Sequence, residues 1–301
     1  MKLKNSPVRN FLFLYLLLLF SGCALDEAQP QIEKQLTLAQ NFMTASQKKV
    51  FLKIAKRRDI DLTILDLSAN SIRKAIKNNP WEPGFDLIML DGIAAQKSLA
   101  GLSFQYHNPT FAAIPIGVSY VPDSVVKVRH FKDLSENYLW SAADDKALDI
   151  LKANLAYVYR GRENNKQLHK VYKDLMRGYK DHQLAFDNYQ LLNTLLLCRY
   201  DTYIHQLKKA AKKRRFTFAL DKKNRYYADY MSLSIIEQSP QYITAKKFAH
   251  YLDYMRDHKA AFRNTFGMAQ KQKVKRQPNV QTLLKYLEKW HLNDTGSCRL
   301  V

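Results

Sequence analysis

The sequence predicts an α/β fold built on mainly parallel sheets flanked by helices. Three observations predict it. Short apolar runs of strand length alternate with segments whose apolar residues recur at helical spacing, the pattern of βαβ units. Hydrophobic residues make up 47% of the 301 positions and aromatics 12%, enough to build an ample core. Only 9 residues are glycine, about 3% against a usual ~7%, which argues against glycine-loop nucleotide binding and collagen-like or linker-rich designs.

The elements follow in order. Residues 36–39 (LTLA) read as a strand. Residues 45–57 place Val50, Phe51, Ile54 and Ala55 on one helical face. Residues 60–67 are a second strand, and residues 70–78, with Ile72, Ala75 and Ile76, a short helix ended by Asn78, Asn79 and Pro80. Residues 85–90 form a buried-type strand, and residues 93–102 a helix with Gly101 as its C-cap. Residues 112–121 are strand-like but interrupted by Pro115 and Gly117. Two helices follow, 144–158 (Leu148, Leu151, Leu155, Val158) and 164–178 (Leu168, Val171, Tyr172, Leu175, Met176). Residues 187–197 read as a helix running into a strand, and 216–220 and 230–236 as strands. A long helix spans 242–264, with Phe248, Leu252, Met255 and Phe262 inward, and another spans 280–290. There is no internal repeat.

The amino terminus reads as an address. Lys2, Lys4 and Arg9 precede an unbroken run of ten apolar residues, 11–20. That is too short to span a bilayer, which takes ~20 residues, and it fits a secretory h-region. Ser21, Gly22 and Cys23 follow, so the segment resembles a bacterial lipoprotein signal. The resemblance implies cleavage before Cys23, diacylation of its thiol, and a polar tether over residues 24–34. Ala24 after the cysteine favours the outer membrane over the inner. An ordinary signal peptide or an uncleaved anchor are the alternatives. Cleavage lowers the formal charge of +21 by three. Cys198 and Cys298 remain, a pair that an oxidising compartment permits to bridge. A buried Cys198 and a free Cys298 are the other possibility.

Four collinear stretches then carry a family resemblance. Residues 35–65 (QLTLAQNFMTASQKKVFLKIAKRRDIDLTIL) open as strand, ligand loop, helix and second strand. Residues 85–105 (FDLIMLDGIAAQKSLAGLSFQ) read as strand, acidic loop and helix. Residues 186–207 (FDNYQLLNTLLLCRYDTYIHQL) carry tyrosines, and residues 230–255 (YMSLSIIEQSPQYITAKKFAHYLDYM) a return strand and helix. In this order they resemble the type 2 periplasmic solute-binding proteins of the ferric-ion-binding kind, over roughly residues 35–290. The resemblance implies two lobes with a cleft between them: 35–118 with 231–264, and 119–230 with 265–290, leaving 291–301 as a tail. It implies a monomer that captures ligand by lobe closure, hands it to an ABC permease, and does no chemistry of its own.

The same resemblance places the ligand site. Ferric ion prefers anionic oxygen, so the family pairs tyrosinates with a carboxylate and often a histidine. Here the carboxylate position is Asp91. The loop after the first strand holds Asn41, Phe42 and Met43, where the histidine is missing. The tyrosine pair falls on Thr202 and Tyr203, with Tyr200 as a neighbour. Asp91 and Tyr203 are therefore the residues expected to meet a metal, and ferric iron or a small anionic solute the expected ligand. Asp91 before Gly92 is equally a turn residue, and in a chain with 18 tyrosines each tyrosine is more often packing. Tyr226–Tyr227 is an off-register pair. His250, Asp253 and Asp257 share one helix face, which reads first as a solvated face.

No zinc spacing, G-x-S-x-G elbow, H-E-x-x-H or P-loop occurs, so nothing in the sequence argues for an enzyme. Residues 208–215 read KKAAKKRR, from Lys208 to Arg215. Further basic groups lie at Lys222, Lys223 and Arg225 and at residues 271–276. In an exported chain these favour anionic lipid or cell-wall polymer over nucleic acid, against the plainer reading of a solvated basic surface.

Overall fold

The computed structural model describes residues 34–121, 133–134, 140–158, 165–179, 195–207, 214–218, 227–270, 282, 285, 290–292 and 298–300. Residues 1–33 with Cys23, the basic residues 208–213, 222–225 and 271–276, Tyr226, and most of the segment 280–289 lie outside them. Residues 35–301 form one unit.

Strand β1 (Lys34–Gln40) leads into helix α1 (Ala45–Lys56) and strand β2 (Ile60–Asp66). Thr44 and Gln47 make a reciprocal capping box at the start of α1, which satisfies two backbone N–H groups that the helix leaves open. Helix α2 (Ala69–Asn78) is capped by Ser68. Strand β3 (Leu87–Asp91) is buried along its length. Helix α3 (Ile93–Lys97) is shorter than the sequence predicts, and Gly101 sits beyond it in a turn at φ 78°.

Strand β4 (Phe104–Tyr120) is much longer than expected. Residues 104–115 pair antiparallel with β8 (Ala228–Ile236), through register shifts near residues 105 and 109–111. Residues 116–120 pair instead with β6 (Leu195–Arg199) and β7 (Arg215–Phe218). Neither Pro115 nor Gly117 breaks the strand. Pro115 falls where pairing passes from β8 to the other partners. Gly117 is required by crowding, because a Cβ there would lie 2.2 Å from the Thr217 carbonyl oxygen.

β5 (Trp140–Ala142) pairs parallel with β6, as β1 does with β3. The sheet runs β2-β1-β3-β8-β4-β6-β5, with β7 also on β4. Each half thus carries its own parallel strands, and β4 passes from one half to the other.

Each half has its own core. Phe51, Ile54, Phe248 and Leu252 pack one face of the first half, from α1 and from α7 (Tyr242–His258); Ile72, Ile76, Ile88 and Leu90 pack the other. The second half buries Trp140, Ile150, Leu168 and Tyr172 beneath α4 (Asp145–Val158) and α5 (Asn165–Met176). The helix expected over 242–264 is broken at Lys259, which is extended (φ −111°, ψ 102°). The break lets α8 (Ala260–Phe266) turn Phe262 and Phe266 onto Phe51, with ring centroids 6.0 and 5.4 Å away. Two short strands, β9 (Trp290–Leu292) and β10 (Cys298–Leu300), pair antiparallel. Cys198 is a buried free thiol. No helix among the described residues is long and apolar enough to cross a membrane.

Candidate functional site

Polar residues converge where the ends of β1, β3 and β6 meet the start of β8. Asn41 follows β1, and its Oδ1 accepts from the Asp91 N–H at 3.0 Å. Asp91 ends β3 and is 1% exposed. Arg199 ends β6 and is also buried. Its Nη1 donates to Asp91 Oδ1 and its Nη2 to Asp91 Oδ2, both at 2.8 Å. Nη1 also reaches Asp229 Oδ2 at 2.9 Å, while Nε and Nη2 meet Asp201. Lys146 on α4 donates to Asp91 Oδ2 at 2.6 Å, with its side chain 40% exposed.

The backbone fixes these groups. Asp144 accepts from the N–H of Ala147, capping α4, and from the N–H of Arg199 at 3.1 Å. Asp229 Oδ1 accepts from the N–H groups of Ile93 and Tyr230. The electrostatics follow from burial. Desolvation alone would raise the Asp91 carboxyl, but Arg199 and Lys146 outweigh it and hold the group below the usual carboxylate range. Asp229 is pushed up to about 6, by burial first, because its share of the guanidinium does not offset desolvation and the Asp91 charge adds to it. Burial raises Asp201 as well. Desolvation would lower Arg199, yet three carboxylates hold it well above its ordinary value.

After Arg199 the chain makes one helical turn, α6 (Tyr200–Thr202), continued as a π-helical turn over Tyr203–Leu207. The Tyr200 and Tyr203 rings stack at 6.2 Å, and both lean on Phe216. The Tyr203 hydroxyl donates to the Arg214 carbonyl at 2.9 Å. Burial and the neighbouring Tyr200 raise the Tyr203 phenol above its ordinary value. The Thr202 N–H donates to Asp201 Oδ1. His205 Nε2 bonds the Thr265 carbonyl at 2.9 Å, and Gln47 at the start of α1 donates to that same carbonyl. Gly267, left-handed at φ 65°, follows α8 and lies against Asp201, where a Cβ would come 2.7 Å from the Asp201 Cα.

The structure therefore brings Asn41 to Asp91, and Asp91 to the residue that opens the tyrosine turn. Phe42 and Met43 are held differently. Their N–H groups donate to the Gln40 side chain, Met43 is buried in the core, and Phe42 packs on it. The Tyr227 carbonyl accepts from the Ile116 N–H, and its ring packs on the second core. Asp253 and Asp257 are both bonded to Arg256. No cluster of three His, Cys, Asp or Glu with metal-holding geometry occurs among the described residues. The sequence reading missed Arg199, Asp201, Asp229 and Lys146. The available signal was charge in an apolar setting, with Arg199 closing LLLC and Asp229 set between Ala228 and Tyr230.

No protein-family model matches the chain, and no curated protein sequence matches it. Solved structures do. The chain is similar to apo FutA2 from Synechocystis PCC6803 at 10% identity and a TM-score of 0.65, covering 85% of this chain and 96% of that one. It is similar to iron-bound HitA from Pseudomonas aeruginosa at 12% identity and a TM-score of 0.60, covering 84% and 98%. It is similar to the substrate binding domain of a molybdenum ABC transporter from Clostridium difficile at 17% identity and a TM-score of 0.54, covering 78% and 98%. The chain thus has the two-lobe α/β fold of the type 2 periplasmic solute-binding proteins, as a divergent example of it.

Proposed function

We propose that the chain is the substrate-binding protein of an ABC importer, exported, held to a membrane through a lipid on Cys23, and capturing a small solute between two lobes. The observation that carries this reading is the convergence of Asn41, Asp91, Arg199 and the Tyr200–Tyr203 turn where the two halves meet, in a fold whose neighbours include iron and molybdenum transport proteins. In open α/β sheets, ligands bind beyond the carboxyl ends of the strands. β1, β3 and β6 end there. A permease would read the closed form that ligand stabilises.

The solute follows from which donors are free. Both Asp91 oxygens are bonded to Arg199 or Lys146, and the Tyr203 hydroxyl to the Arg214 carbonyl. A bare ferric ion would have to displace all of these. The reading therefore favours a ligand that brings its own donors, a ferric chelate or a small organic anion.

Thermal unfolding tests this. A ligand that binds only the folded chain raises its midpoint, so ferric citrate, molybdate, phosphonates and amino acids should include one that does. Ferric chloride should produce no tyrosinate-to-iron absorption band. If such a band appears and Tyr203→Phe removes it, the bare ion is the ligand after all. If no solute shifts the midpoint, the binding reading falls. The same consumed donors then favour a second one, a binding-protein fold acting as an interaction lipoprotein. Pull-down from membranes would recover an envelope assembly in that case and an ABC permease in the first.

A further inference from the structure

Helices α1 and α7 cover the same face of the first half, and Arg58, just past the end of α1, lies over the Tyr251 ring of α7. Their inward residues, Phe51, Ile54, Phe248 and Leu252, share a single core. Their outward sides therefore face the same way, away from that core. Residues 45–58 contain six basic residues and no acid. On these outward sides Lys49, Lys53, Lys56, Arg57, Lys246 and Lys247 are all exposed, and among the described residues none of the six is in an ion pair. Arg58 lies over the Tyr251 ring at 3.7 Å and Lys259 near the Tyr254 ring at 5.6 Å. The acids of α7, Asp253 and Asp257, are both bonded to Arg256, so between them they offset only one of these positive charges.

The surface is also apolar in places. Four large hydrophobic side chains are strongly exposed among the described residues: Leu52 (43%), Trp81 (65%), Ile243 (70%) and Tyr254 (45%). Three of the four stand on α1 or α7. Basic side chains interspersed with exposed Leu, Ile and Tyr are the composition of a surface that settles at an anionic lipid–water interface. Solvated charge alone accounts for the lysines and leaves Ile243 and Leu52 unexplained.

Topology brings the end of α1 and the start of α7 to the same side of the sheet. In a βαβ unit the helix runs back along the strands, so the end of α1 lies where β1 begins. Leu38 pairs with Leu87 and Leu87 with Ile235, so β8 ends on that side too and α7 starts there. Residues 53–58 of α1 and residues 243–247 of α7 therefore lie on the side where β1 begins.

We propose that the outer face of α1 and α7 is a docking surface for anionic phospholipid headgroups, lying against the membrane to which the chain is tethered. The tether part of this rests on the lipidation of Cys23 proposed above; the charge and the exposed apolar residues do not. The surface differs from the one the sequence suggests, residues 208–215. There Arg214 is buried, bonded to Ser119 on β4.

The test is lysine acetylation, read by mass spectrometry, on the mature chain purified from cells and reconstituted on vesicles. Vesicles of phosphatidylcholine alone are compared with vesicles containing phosphatidylglycerol. On the anionic vesicles Lys49, Lys53, Lys56, Lys246 and Lys247 should label at least about fivefold more slowly, and salt should abolish that protection because surface attraction is screened. Exposed Lys74 and Lys77 on α2, against the opposite face, should be unaffected. Lys53→Glu with Lys56→Glu, both at exposed positions, should remove the protection of Lys246. Equal labelling on the two vesicles overturns the proposal. So does protection that appears only with nucleic acid, wall polymer or an acidic protein. The mass of the amino-terminal peptide reports Cys23 acylation separately. Unacylated chain with lipid-dependent protection keeps the surface and removes the anchor; acylated chain with uniform labelling does the reverse.

Discussion

Arg199 grips Asp91 in a two-pronged pair, Nη1 to Oδ1 and Nη2 to Oδ2, each at 2.8 Å, with both side chains buried. The pair ties the end of β6 in one half to the end of β3 in the other, and Asp229 on β8 accepts from the same guanidinium. A planar guanidinium with a fixed fork is what this geometry needs, and a lysine in its place has one point charge to offer.

Arg199→Met should therefore destabilise the chain by about 3–5 kcal/mol, the usual cost of leaving buried charge unpaired. Arg199→Lys should recover only part of it. Adding Asp91→Asn, Asp201→Asn and Asp229→Asn to Arg199→Met should restore stability relative to Arg199→Met alone, because the three carboxylates that Arg199 served are then uncharged. Urea unfolding midpoints measure all of these. A loss under about 1 kcal/mol for Arg199→Met would make the pair equivalent to an exposed one.

Gly117 makes a second, independent prediction. It pairs with Cys198 on one side and Phe218 on the other, and the Thr217 carbonyl and Phe216 ring occupy the space of its missing Cβ. Gly117→Ala should push β7 off β4 and cost ~1–3 kcal/mol as an overpacked site. Hydrogen exchange would then rise in residues 215–218 but not in β6. Gly84 is the contrast, left-handed at φ 88° with nothing within 4 Å of its Cβ position. Its alanine variant should lose ~1–2 kcal/mol through backbone conformation alone and leave β7 exchange unchanged.

These residues also show what the sequence could and could not disclose. Apolar periodicity located α1, α2, α4 and α5 nearly to the residue, because each buries one stripe on a sheet and the stripe is written locally. It read Pro115 and Gly117 as interruptions, because the reason for each lies in strands 80 or more positions away. The split at Lys259 was invisible for the same cause: Phe262 and Phe266 turn toward Phe51, a contact far along the chain. At the candidate site, Asp91 was named through the family resemblance, as the acid that follows the third strand. Its partner was not, since Arg199 had no local signal beyond a charge ending an apolar run. The tyrosines were legible as residues, but their hydrogen bonding was not.

The last prediction concerns pH. Asp229 has its folded pKa at about 6, above the ordinary 3.8. Between those values the folded chain keeps a proton that the unfolded chain has released. The stability this group contributes is thus fully present below 3.8 and is lost as pH rises through about 6. Asp201, also raised, acts in the same direction. Asp91 acts in the opposite one. Its carboxyl is held below 3.8, so its contribution is present above that value and lost as pH falls through the folded pKa. Together they place the junction's greatest stability on the acid side of neutrality. Urea midpoints should fall as pH rises from about 4 to about 6. Asp229→Asn cannot titrate, so it should flatten that slope while leaving the acid limb set by Asp91 in place. Its Oδ1 can still accept from Ile93 and Tyr230, which keeps the turn at the start of β8 intact. An unchanged slope in Asp229→Asn would show that the proton is held elsewhere, and Asp201→Asn is then the variant that should flatten it.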